Sequence, residues 1–190
     1  MEGGSTKVDL DLDLKQNHFE LLGLPQRFRI DPGALAEAYR RMQSALHPDR
    51  FARAGDQARR LAVQGAAQVN EAYATLRDDG RRARYLLELQ GMAVDEEKDT
   101  AQDPAFLMEQ MELREALEAA EQAPRPMEAM DRVTADIDAR YEALLRAFEE
   151  AFEAGDLAAA KTEVLKIRFF DRLRGEASSL AERLEDQDLS

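Results

Sequence analysis

At 190 residues, with 44% hydrophobic and 34% charged side chains and a net charge of −13, the chain is sized for one medium domain or two small ones. Its acidity argues against nucleic acid as the main partner, and the scarcity of strand signals beside abundant Ala, Glu, Leu and Arg predicts an all-α fold. There is no cysteine, which excludes disulfides, a catalytic thiol and thiolate metal sites, and the two histidines, His18 and His47, are 29 positions apart, so neither metal nor cofactor is expected.

The first stretch, MEGGSTKVDLDLDLK, has no basic region leading into an apolar run, and nothing in the chain approaches the ~20 apolar residues of a bilayer span. A cytoplasmic protein without a membrane partner is expected. Val8, Leu10, Leu12 and Leu14 alternate with aspartates, and for an isolated leader this reads as a flexible tail over residues 1–16.

A short helix from about Asn17 to Leu22 ends at Gly23, with Pro25 beyond it. Asp31-Pro32 supplies an N-cap and a proline at the first helical position, opening a helix with Leu35, Ala38, Tyr39, Met42 and Leu46 on its core side. Pro48 disfavours helical dihedrals at His47, so the helix stops at or before the histidine. A third helix spans about Asp56 to Leu76, its stripe read as Leu61, Gln64 or Gly65, Gln68, Val69, Ala72, Tyr73 and Leu76. A fourth, arginine-rich, runs from about Gly80 to Leu89. Helices two and three therefore form an antiparallel hairpin, with His47, Pro48 and Asp49 at its solvent-facing tip.

Taken alone, His-Pro-Asp is an ordinary helix-terminating turn. As an acid/base dyad it lacks a nearby nucleophile or second carboxylate, and a loop tip is expected to be convex, so the reading is recognition and not catalysis. The protein is expected not to be an enzyme.

Residues 1–30 carry 4 basic and 5 acidic side chains, 31–91 carry 10 and 8, and 92–190 carry 12 and 26. A mildly basic piece thus precedes a strongly acidic one, with a linker over 92–103. Asp103-Pro104 then starts a helix that places apolar residues on two faces. Phe106, Leu113, Leu117 and Ala120 form a core stripe, while Leu107, Met108, Met111, Glu112 and Glu115 cover a second arc from about 100° to 240° around the helix. Such a methionine stripe can be buried against another helix, but the interleaved carboxylates are costly to bury and suit a solvent-facing patch for a protein partner. The same patch offers a surface for weak self-association.

Two long helices follow, from about Pro126 to Phe152 and from about Leu157 towards Leu184, joined at Gly155-Asp156. The first uses Met130, Val133, Ile137, Tyr141, Leu144 and Phe148. The second carries Leu165, Phe169 and Leu173 on a stripe apart from Val164 and Ile167. Residues 104–190 read as an antiparallel three-helix bundle.

In order and spacing, FELLGLP, the helix with Tyr39, Arg40 and Arg41, HPDRF and VNEAYATLRDDGRRARYLLEL resemble a J-domain over residues 17–91. That resemblance implies that His47, Pro48 and Asp49 engage an ATP-hydrolysing heat-shock chaperone and stimulate it, with Arg40, Arg41 and Arg50 as the positive surface. Leu46 replaces the aromatic that often precedes the histidine, and the second helix is modestly basic, which points to a dedicated chaperone.

With AFLMEQMELRE opening the bundle and KIRFFDRL late in it, the whole is similar to the HscB (Hsc20) family of iron-sulfur cluster co-chaperones. The resemblance implies a cluster-assembly scaffold (IscU type) as client, held by Leu107, Met108, Met111, Glu112, Glu115 and Phe169, and delivery to a specialised chaperone (HscA type). Phe169 enters on the resemblance alone. Some eukaryotic members carry a cysteine-bearing extension that this chain lacks, so a bacterial member is expected. The alternatives are a J-domain adaptor for another client and a helical regulatory protein whose HPD is only a turn.

Overall fold

A computed structural model of the chain describes residues 15–51, 55–95 and 103–188. The tail read over 1–16 lies outside these except for its last two residues, as does most of the linker read over 92–103. Every regular element among the described residues is helical, with no strand among them: α1 His18–Leu22, α2 Pro32–Ala45, a 3-10 turn Pro48–Phe51, α3 Asp56–Arg77, α4 Asp79–Leu89, α5 Pro104–Glu121, α6 Pro126–Glu153 and α7 Leu157–Asp188. The chain divides into two compact units, residues 1–82 and 83–190.

In the first unit the helix ends are set by local chemistry. Asn17 Oδ1 accepts from the amides of Phe19 and Glu20, and the Glu20 carboxylate accepts from the Asn17 amide, a reciprocal capping box. At the other end Gly23 takes φ +66, a left-handed value that glycine adopts without penalty, letting Leu24 N donate to Phe19 O. Asp31 Oδ1 accepts from Gly33 N at 2.8 Å, with Pro32 preset for the first turn of α2.

The pairing of α2 with α3 is antiparallel: Tyr39 stacks on Tyr73 at 4.2 Å, while Gln43, one turn on, donates to Asn70, one turn back. Tyr39 Oη also donates to Asn70 Oδ1 at 2.9 Å. The core stripe of α3 is Ala62, Gly65, Val69, Ala72, Thr75 and Leu76. Leu61, expected in that stripe, is instead on the exposed side. Small residues at 62, 65 and 72 bring the helices close together, and a stripe chosen by side-chain size misses them.

Arg82, within the arginine-rich helix, is buried. Its Nε donates to Phe28 O at 2.7 Å and Nη1 to Leu76 O at 2.6 Å, while Nη2 pairs with Asp79. The guanidinium also lies over the Phe28 ring, so it joins three chain segments.

In the second unit α5, α6 and α7 form a three-helix bundle. Asp103 caps α5 by accepting from Phe106 N at 3.0 Å. Gly155 (φ +76) turns the chain from α6 into α7, and Asp156 Oδ1 accepts from Ala159 N to start the new helix. On α6 the buried set is Met130, Ile137, Tyr141, Leu145 and Phe148, with Leu145 replacing the expected Leu144. Helix α7 contacts both α5 and α6, and Val164, Ile167, Phe169, Phe170 and Leu173 are all buried; Leu165, expected on a stripe with Phe169 and Leu173, is only half-buried, and Phe170 was in neither stripe read from sequence.

Candidate functional site

The first candidate site is the tip of the α2–α3 hairpin. α2 ends at Ala45, Leu46 is buried behind it, and Pro48–Phe51 makes one 3-10 turn that plants Phe51 in the core at 1% exposure. The loop is thus anchored on both sides while its middle faces solvent: the side chains of His47 and Asp49 are 60% and 91% exposed. The Asp49 amide donates to His47 Nδ1 at 3.3 Å, which orients the ring. The Asp49 carboxylate, 3.6 Å from Nδ1, stays available to an incoming donor.

Arg40 and Arg41 on α2, and Arg50 within the loop, are exposed on this unit. The structure thus groups His47, Pro48, Asp49 and Arg50 in one short segment and puts the other two arginines on the helix leading into it. One expectation is corrected. The surface beside the tip is concave, because a groove lined by residues that include His47 and Pro48 runs between α2 and α3.

The second candidate site is on α5. Phe106, Leu113, Leu117 and Ala120 are buried, and the opposite arc holds Leu107, Met108 and Met111 at 41%, 64% and 63% exposure, flanked by exposed Glu112 and Glu115. Apolar exposure on this scale is not required by the bundle. Beside it, Arg140 of α6 reaches Glu109 at 2.8 Å and Asp136 at 3.0 Å, tying α5 to α6; hydrogen bonding to Glu109 is the main influence raising the Arg140 pKa.

Phe169 does not join that patch as a surface group. It is 3% exposed and meets Phe106 edge-on at 5.5 Å and Phe170 edge-on at 5.4 Å, with Arg114 over its face. The ring lies behind α5, where it fixes the position of Phe106, the residue next to Leu107. Arg114 and Arg140 were missed from sequence, since charged residues on a solvated helix carry no signal of what they brace.

Two family models match the chain: the DnaJ domain over residues 17–85 and the HSCB C-terminal oligomerisation domain over residues 102–178. The co-chaperone protein HscB homolog of Burkholderia multivorans is 44% identical over 174 residues, covering 92% of this chain and 99% of that protein. This chain belongs to the HscB co-chaperone family. The homolog of Cupriavidus taiwanensis is likewise 44% identical, over 173 residues. Among solved structures, the chaperone HscB from Vibrio cholerae superposes with a TM-score of 0.81 at 42% identity, covering 90% of this chain and 99% of that one. The human co-chaperone protein HscB gives 0.80 at 29%, covering 88% and 83%.

No described helix is long and apolar enough to cross a membrane.

Proposed function

We propose that the protein is an adaptor in iron-sulfur cluster biogenesis. Its α5 patch holds a cluster-assembly scaffold, and its His47-Pro48-Asp49 loop stimulates ATP hydrolysis by a specialised heat-shock chaperone. The observation that carries the reading is the pairing of two surfaces on one chain: an anchored, solvent-facing HPD loop and an apolar-acidic patch that the bundle leaves in water. In this reading residues 17–91 act as the J-domain, 92–103 as linker and 104–190 as the client-binding bundle.

Asp49 supplies the carboxylate for a cationic group on the chaperone, Pro48 holds the turn, and Arg40, Arg41 and Arg50 steer the encounter with an acidic face. Leu107, Met108 and Met111 give the client apolar area, Glu112 and Glu115 select its basic groups, and Phe169 supports them from behind. The protein works in the cytoplasm, has no active site of its own and carries no cofactor. Its contribution is effective concentration, since a scaffold held on the bundle meets the chaperone nearly intramolecularly.

The test is Asp49→Asn, assayed for chaperone ATPase stimulation and for scaffold binding. Stimulation should be lost with scaffold affinity unchanged. Undiminished stimulation would remove the J-domain role.

A further inference from the structure

Of the seven methionines, Met1 lies outside the described residues and the other six fall into two groups. Met130 is buried at 1% exposure in the core of the three-helix bundle, and Met42, Met92 and Met127 are half-buried. Met108 and Met111 are the exposed pair, at 64% and 63%, and they stand one turn apart on the outer arc of α5. With no cysteine in the chain, these two thioethers are the described sulfur atoms most open to an oxidant.

Hydrogen peroxide gives one oxygen to such a sulfur: the S–O bond forms as the O–O bond breaks, the sulfur loses two electrons, and the peroxide leaves as water. A sulfoxide reductase, drawing two electrons and two protons from a dithiol, returns the thioether and releases water, so the change is reversible. What the sulfoxide does follows from where it sits. A flexible apolar side chain becomes a polar one with a strong acceptor oxygen. Glu112 and Glu115, one turn on from the two methionines, are exposed carboxylates that only accept. Under a bound partner the new oxygen therefore loses its water without gaining a donor from either of them, and an unmade buried hydrogen bond opposes binding. The buried side of α5, formed by Phe106, Leu113, Leu117 and Ala120, carries no sulfur, so the bundle keeps its packing.

We propose that Met108 and Met111 form a reversible oxidation site at which peroxide switches off client binding. The inference rests on the reading of the α5 patch as the client surface. The segment His47 to Arg50 contains no methionine, so an oxidised molecule keeps its HPD loop but brings the chaperone no scaffold.

The experiment treats the full-length protein with hydrogen peroxide, removes the peroxide by desalting, maps the added oxygens by peptide mass spectrometry and titrates the product with scaffold by calorimetry. Met108 and Met111 should each gain one oxygen before Met42, Met92, Met127 or Met130. The doubly oxidised protein should bind about ten- to a hundredfold more weakly, with an unchanged thermal midpoint. The two methionine sulfoxide reductases with dithiothreitol should restore its affinity, and Met108→Leu with Met111→Leu should bind equally before and after peroxide. Oxidation that begins at another methionine, or a lowered midpoint, overturns the proposal. So does a leucine variant that peroxide weakens as much as wild type, since the sensitive group then lies elsewhere. If the oxidised protein binds like the untreated one while Met108→Ala with Met111→Ala has lost the scaffold, the oxidation site falls and the client surface stands. A double alanine variant that binds like wild type removes the client surface and the oxidation site with it.

Discussion

Replacing Met108 and Met111 together by alanine removes the most exposed part of the α5 patch. Fully burying a methionine side chain is worth about 1.5–3 kcal/mol, and roughly two thirds of each residue's surface is still in water in the free protein. Covering that fraction with a partner gives about 1–2 kcal/mol per methionine, of which alanine keeps a part. The double variant should therefore lose about 1.5–3 kcal/mol of scaffold binding, a weakening of roughly ten- to a hundredfold or slightly more. Titration calorimetry against the scaffold measures this directly. Because neither side chain is in the core, the thermal midpoint of the free variant should match wild type, separating lost contact from lost fold. Met108→Leu with Met111→Leu should hold affinity within a few-fold, since the apolar area is kept. An alanine variant within about threefold of wild type would refute the assignment of the patch.

Arg82→Met leaves the carbonyls of Phe28 and Leu76 without their buried donor and removes the guanidinium from the Phe28 ring. It should destabilise the first unit by about 3–5 kcal/mol, read as faster amide hydrogen exchange in α1 and α3; unchanged protection would contradict that role. His18 is half-buried, and desolvation holds its pKa below the ordinary value of 6.5, outweighing the opposing pull of Glu71. The unfolded chain binds this proton more readily, so the His18 contribution is complete above pH 6.5 and is lost as pH falls below it towards the lowered folded value. Urea midpoints across pH 7.5 to 5 should fall less for His18→Asn than for wild type, and parallel curves would refute the assignment.

Legibility in the sequence followed the range of each interaction. Caps and breakers act within a turn or two, which is why Asp31-Pro32, Asp103-Pro104, Gly23 and Gly155 mark helix boundaries that the structure reproduces. The α5 patch was legible too, since a helix wheel needs only 3.6 residues per turn to separate Met108 and Met111 from Leu113 and Leu117. What escaped depended on remote partners. Arg82 is satisfied by a carbonyl 54 positions away, and Phe169 is covered by Phe106 from another helix. On α3 the register depended on small residues, whose value lies in the close approach they permit and not in their own hydrophobicity. The groove beside His47 needed two helices and a buried Phe51 to exist at all.

The central claim is that one chain must carry both surfaces, and it is tested by mixing two full-length variants that each lack one. Asp49→Asn keeps the client patch, and Met108→Ala with Met111→Ala keeps the loop. Chaperone ATPase is measured with scaffold present at concentrations well below saturation. The account predicts that the mixture falls far short of an equal amount of wild type, because client and stimulating loop no longer arrive tethered. A mixture that restores the full wild-type rate would contradict it.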